Sequence, residues 1–237
     1  LKARGFTAVM ASRRSPPRAL DYFPTPPWAT RAGAALVREL DPMAADNRIL
    51  ICEPACGGGH MSHVLADNFG NTSVFASDVF DYDWGHSVQD FLSPEWDGFW
   101  DPDWIVTNPP FSIAPQFALL ALERARRGVA LLLRSAFSEG AERYRTLFQP
   151  YPPVIEAQFC ERVPMVAGCW DPKASSATAY SWFIWTKDDG FGIRLGQGRT
   201  ERRWIAPGAR EAFTMPDDVR RFAPTAPAPL FDEVPTP

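Results

Sequence analysis

The sequence predicts an α/β protein built on a mainly parallel, doubly wound sheet. Two observations carry this. Short segments that are apolar throughout alternate with stretches whose apolar residues recur at helical spacing, the pattern of buried parallel strands joined by amphipathic helices. Several strand candidates also run straight into Gly- or Pro-rich turns, as at Glu53-Pro54-Ala55-Cys56-Gly57-Gly58-Gly59 and Asn108-Pro109-Pro110-Phe111, where such sheets hold their ligands.

In chain order, residues 1–20 are basic and Pro-containing and read as an arm. From Pro27, the apolar residues Trp28, Ala32, Ala35, Leu36 and Leu40 share one helical face, and Asp41-Pro42 stops that helix. Residues 48–52 form a short apolar run, the first strand, and a helix is expected from His60 to Asn68. Strands are expected at 73–78 and 104–107, a helix at 115–127, a strand at 129–133 and a helix at 139–149. Two further strands follow at 154–160 and 180–185. The expected organisation is one domain over 21–222 and a Pro-rich, disordered tail over 223–237. Leu1 opens the chain, and Met10 is a more natural start, so residues 1–9 read as an upstream extension.

With 46% hydrophobic residues and nine tryptophans, the chain has material for a real core. No apolar run is long enough to span a membrane, and no secretory leader is visible, so a cytoplasmic location is expected. Cys52 and Cys56 have no His at metal-ligand spacing, so they read as buried reduced thiols, and no metal is expected. The net charge of −4 does not suggest extensive phosphate binding. Basic residues are instead clustered, at Arg13, Arg14 and Arg18; Arg124, Arg126 and Arg127; Arg199, Arg202 and Arg203; Arg220 and Arg221. Each cluster reads first as a solvated face.

Three features mark a ligand site. Gly57, Gly58 and Gly59 let backbone approach a ligand closely, and the missing Gly-Lys-Ser/Thr excludes a phosphate loop. Glu53 at the mouth of that turn, beside Pro54, repels phosphate and suits a cation. Asp78 ends the second strand, 19 positions after Gly59, where an acid accepts hydrogen bonds from ribose hydroxyls; a helix cap is the alternative. Together they favour an adenosyl ligand without phosphates, S-adenosyl-L-methionine. Asp90 and Phe91 read as an adenine contact, or as a loop Asp beside a core Phe.

Asn108-Pro109-Pro110-Phe111 carries the chemistry. An exocyclic amine on a heterocycle is a weak nucleophile because its lone pair is delocalised. The Asn108 side-chain oxygen and the Pro109 carbonyl can accept its two protons and draw the nitrogen toward tetrahedral geometry. The paired prolines hold those acceptors rigid, and Phe111 offers a face for a stacked base. Read alone, the tetrapeptide is equally a rigid loop; its place after a strand and beyond the glycine turn favours chemistry.

These residues resemble the amino-group methyltransferases, especially DNA adenine (N6) methyltransferases of small phage or prophage type. Three matches over about 21–187 carry it: Asp21-Tyr22-Phe23-Pro24-Thr25-Pro26, the Glu53–Gly59 turn and Asn108–Phe111. The resemblance implies a Rossmann-like class I methyltransferase fold, a seven-stranded sheet with an antiparallel edge hairpin at 154–160 and 180–185. It implies that Phe23, Thr25, Pro26, Gly57 and Gly59 hold the cofactor, and that Asn108, Pro109 and Phe111 grip the target amine of a flipped adenine. The 162–179 loop also looks loosely like its phage counterpart. No sizeable target-recognition domain fits, which leaves that loop, residues 80–103 and the segment after Lys187 to read sequence. Competing readings are methylation of a ribosomal guanine amine, of a protein glutamine amide, or a non-catalytic module that binds S-adenosylmethionine and nucleic acid. In the tail, Leu230 and Phe231 faintly resemble peptides that dock on the replication sliding clamp, without their leading Gln.

Overall fold

A computed structural model describes residues 21–97, 101–188, 192–194 and 199–223. The basic arm with Arg13, Arg14 and Arg18, and the tail with Leu230 and Phe231, lie outside the described residues.

Helix α1 (Pro27–Leu40) starts on Pro27, whose missing N–H is no loss in a first turn. Asp41 ends it and caps the short α2 (Pro42–Ala45) by accepting from the Met43 N–H at 2.9 Å. The same buried carboxylate takes the Trp104 indole N–H at 2.8 Å and two hydrogen bonds from Arg127. Burial alone would raise its pKa; the bonds from Arg127, Trp104 and Met43 outweigh that and hold it below the usual carboxylate range.

The strands are β1 (Ile51–Glu53), β2 (Val74–Asp78), β3 (Ser87–Val88), β4 (Trp104–Thr107), β5 (Gly128–Arg134), β6 (Ile155–Phe159), β7 (Tyr180–Asp188), β8 (Gly192–Arg194) and β9 (Glu201–Ile205). They form one sheet in the order β3-β2-β1-β4-β5-β7-β6-β9, with β8 paired to β7. Among the described residues there are thus nine strands rather than seven. β7 runs antiparallel to both β5 and β6, as expected of the hairpin, but β9 pairs in parallel beyond β6 and takes the edge. Its Glu201-Arg202-Arg203 start is too polar to read as a strand; pairing with β6 makes it one.

Both sheet faces are covered. Along β5, Ala130 and Leu132 meet Trp28, Val37 and Trp182 on the α1 face. Val129, Leu131 and Leu133 meet Phe117, Phe183 and Trp185 on the other. Helix α3 (His60–Phe69) joins α1, and α4 (Ala114–Arg124) covers the opposite face. The helix expected at 139–149 is a short α5 (Ala141–Arg143) continuing into a wide π turn over Tyr144–Phe148. That turn buries Leu147 and sets Phe148 against Phe183.

Two unanticipated helices close the domain, α6 (Ala209–Phe213) and α7 (Asp218–Phe222). Arg31 of α1 holds them: it donates to the Phe213 carbonyl and forms a bidentate, buried pair with Asp218, both contacts 2.7 Å. No helix among the described residues is long and apolar enough to cross a membrane.

Candidate active site

The strand order reverses direction between β1 and β4, each of which leads on by a crossover to opposite sides of the sheet. A cleft enclosing about 900 Å³ of atom-free space, partly open to solvent, lies beyond the carboxyl ends of these strands. This is where doubly wound sheets bind ligands.

Of the residues singled out from sequence, Phe23, Thr25, Glu53, Pro54, Gly57, Asp78, Asp90, Phe91 and Asn108 line the cleft. Pro26, Gly59, Pro109 and Phe111 do not. Pro26 is the residue before α1, and Gly59, at φ 81°, is the residue before α3, with Trp84 packed where a β-carbon would go. Pro109 is buried, and Pro110 is the proline that faces the cleft.

Gly57, at φ 50°, is required for a reason the sequence did not show. A β-carbon there would stand 2.4 Å from the Tyr22 ring, so the close approach is to an aromatic side chain as well as to any ligand. Tyr22 is fixed over the turn: its hydroxyl accepts from the Gly58 N–H at 3.2 Å, and its ring packs on Tyr82 at 4.7 Å. Burial pushes its pKa up to about 12. Trp84 donates to the Gly57 carbonyl at 2.7 Å, so residues 80–86 clasp the same turn. Tyr22, quoted from sequence only as part of the Asp21–Pro26 match, lines the cleft with Tyr82 and His60, which were missed because isolated aromatic and His residues carry no positional signal.

Glu53 is buried and receives the Ser62 hydroxyl. Burial, aided by the nearby Asp78 charge, pushes its pKa up to about 8. Asp78 accepts from the Gly57 N–H at 2.9 Å and the Phe80 N–H at 3.0 Å, which braces the turn, and it still faces the cleft. Burial raises its pKa as well. With Asp21 and Asp90, the cleft is lined by four carboxyl residues and, among the described residues, by no Lys or Arg. Such a lining disfavours phosphate and suits a cation.

His60 bonds the Phe222 carbonyl through Nε2 at 3.1 Å. A carbonyl only accepts, so Nε2 carries the proton and Nδ1, buried and unpartnered, is an acceptor. Asp90 accepts from the Leu92 N–H in a local turn, and Phe91 packs on Phe117 and under Arg124. Asp90 is thus a loop residue and Phe91 a core residue, and both also border the cleft.

Asn108 is the most informative residue. Its amide nitrogen donates to the Phe23 carbonyl at 3.0 Å and to the Thr25 hydroxyl at 3.1 Å. Because the Phe23 carbonyl requires a donor, the amide orientation is set and Oδ1 is the free end. That oxygen is buried with no partner. A buried acceptor left unpaired costs about 1–3 kcal/mol, which a donor brought by a ligand recovers. Phe111 lies in a cluster with Phe23 and Tyr180, centroids 5.8 and 6.0 Å away, and the Arg134 guanidinium covers its ring at 4.6 Å.

The arginine clusters are mostly structural. Arg124 donates to the Phe91 and Ser93 carbonyls, Arg126 pairs with Asp103, and Arg127 with Asp41. Arg202 donates to Gln158, Arg203 pairs with Glu39 and Glu201, Arg220 with Asp217 and Arg221 with Asp67.

No family model matches the chain, and no curated protein matches its sequence. Solved structures do. A protein of Pyrococcus horikoshii described as an RNA methyltransferase aligns with a TM-score of 0.53 at 15% identity, covering 73% of this chain and 91% of that one. A class I S-adenosylmethionine-dependent methyltransferase of Listeria monocytogenes gives 0.55 at 14%, covering 79% and 68%. The DrdV–DNA complex gives 0.51 at 12%, covering 79% of this chain and 28% of that much longer one. At these identities the likeness is one of fold, and the chain shares the Rossmann-like architecture of those structures.

Proposed function

We propose that the protein transfers a methyl group from S-adenosyl-L-methionine to the exocyclic N6 amine of adenine in DNA. The observation that carries this is the unpartnered, buried Oδ1 of Asn108, an acceptor held rigidly at the cleft by Phe23 and Thr25.

The residues fit the cofactor. S-adenosylmethionine is a cationic adenosyl compound without phosphate, and the lining is carboxylic with no described Lys or Arg. Glu53 and the His60 Nδ1 acceptor suit the cationic methionine end, and Asp78 suits the ribose hydroxyls. When bound, the cofactor supplies an activated methyl group. Asn108 accepts one amine proton and orients the nitrogen lone pair. As that nitrogen becomes tetrahedral, the Asn108 hydrogen bond strengthens, so its contribution falls on the transition state. No residue need titrate to start the reaction, since the proton leaves an already alkylated, acidic nitrogen. A duplex adenine must rotate out to reach the cleft. The free thiols Cys52 and Cys56 fit a reducing, cytoplasmic compartment.

DNA is favoured by the Asp21–Pro26 segment, which supplies both partners of the Asn108 amide. The Pyrococcus horikoshii neighbour favours a second reading, a base amine in RNA. Incorporation of labelled methyl into DNA, RNA and protein in parallel, with mass spectrometry of digested nucleosides, separates them. N6-methyladenine in DNA is the expected product; label confined to RNA or protein would overturn the assignment.

A further inference from the structure

Arg134 is an exposed arginine beside the proposed amine site. It ends β5, the strand next to β4, and β4 runs directly into Asn108. Its guanidinium lies 4.6 Å from the Phe111 centroid, and the Phe111 ring in turn packs on Tyr180. No carboxylate pairs with it among the described residues. The arginines described above in the 124–127, 202–203 and 220–221 clusters are tied to carboxylates, carbonyls or Gln158, whereas Arg134 is set apart by its place over Phe111.

The surrounding charge sharpens the point. No Lys or Arg stands between Arg48 and Arg124, whereas Asp and Glu recur throughout that stretch, which builds β1 to β4 and most of α4. A phosphodiester backbone approaching the cleft is therefore repelled on the cofactor side. On the β5 side it meets Arg134, whose guanidinium fork matches phosphate oxygens.

We infer that Arg134 is the phosphate anchor for the target nucleotide, and that it leaves the Phe111 ring when a base stacks there. This rests on the nucleic-acid reading above. In the free protein the guanidinium covers one face of Phe111, a partly buried ring three residues beyond Asn108 and just outside the cleft lining. An incoming nucleotide offers both a base for the ring and a phosphate for the guanidinium, so one contact is exchanged for two. Arg134 binds substrate and has no part in holding the cofactor.

The test uses the full chain, a fluorescein-labelled oligothymidine with one central adenine, and anisotropy over a salt series. Arg134→Gln should weaken binding about tenfold, the loss of one charge-assisted contact. It should also flatten the plot of log K against log salt by about 0.7, the value of one phosphate on a single strand. Arg134→Lys should restore the slope. A methylphosphonate beside the adenine should weaken the wild type and leave Arg134→Gln unaffected. Melting temperature and S-adenosylmethionine affinity should match wild type in both variants. A wild-type slope in Arg134→Gln, or equal losses on the methylphosphonate in both proteins, overturns the anchor while the methyltransferase reading stands. Failure of the wild type to bind the oligonucleotide at all removes the substrate assignment and the anchor with it.

Discussion

Glu53→Gln should make the free protein more stable and the cofactor complex weaker. Glu53 is buried, its pKa pushed up to about 8 by burial and by Asp78, against an ordinary 4.5. Between those values the folded protein holds a proton that the unfolded chain has released. The stability linked to this group is therefore complete below pH 4.5 and lost as pH rises through 8. At pH 7 the unfolded carboxyl has gained about 2.5 pH units of ionisation that the folded one has not, a penalty of roughly 3 kcal/mol at 1.36 kcal/mol per unit. A neutral amide of the same size, still within reach of Ser62, removes it. Urea unfolding without cofactor should show Glu53→Gln about 3 kcal/mol more stable at pH 7, shrinking to about 1 kcal/mol at pH 5.5. Saturating S-adenosylmethionine should reverse the order, because a cationic ligand draws Glu53 into its charged form. Calorimetry in buffers of different ionisation enthalpy should accordingly detect proton release on binding at pH 7, absent in the variant. A stability gain that does not grow with pH between 5.5 and 7, or proton release unchanged by the substitution, would refute the reasoning.

Asn108→Ala should lower turnover by at least tenfold and leave S-adenosylmethionine affinity nearly intact, measured by single-turnover kinetics and calorimetry. Asp78→Ala should weaken cofactor binding by about 1–3 kcal/mol; because Asp78 also braces Gly57 and Phe80, its unfolding curve must be recorded beside the titration. Adenines in single strands or mismatches should be methylated at least as fast as those in a perfect duplex, since extrusion costs a few kcal/mol. Initial rates on matched oligonucleotides at one salt concentration decide this, and a strong duplex preference would contradict it. Asp218→Ala should cost about 3–5 kcal/mol by leaving Arg31 buried and unpaired, whereas Arg31→Met with Asp218→Leu should recover most of it. Both are read from denaturant midpoints.

Most of the helices and strands up to Trp185 were legible because each is governed by its own residues. A four-residue run such as Trp104-Ile105-Val106-Thr107 is a strand in any context that buries both faces, and Asp41-Pro42 ends a helix through local sterics. That the glycine turn, Asp78 and Asn108 stand at the cleft was legible for a related reason, since each lies at a strand end, where such a sheet opens its cleft. β3, β9, α6 and α7 were not. They are short, β3 having only two residues, and β9 and α7 are held by a partner far along the chain: β6 for β9, and Arg31 for the helix that Asp218 opens. Spacing also could not say which prolines and aromatics face the cleft. Pro110 lines it where Pro109 was expected, and Phe111 lies under Arg134, because loop geometry is decided by packing against Phe23 and Tyr180. The free ends of polar groups belong to the same class. That Asn108 turns its nitrogen toward Phe23 and leaves its oxygen unpaired follows from a residue 85 positions away, and only the folded chain brings the two together.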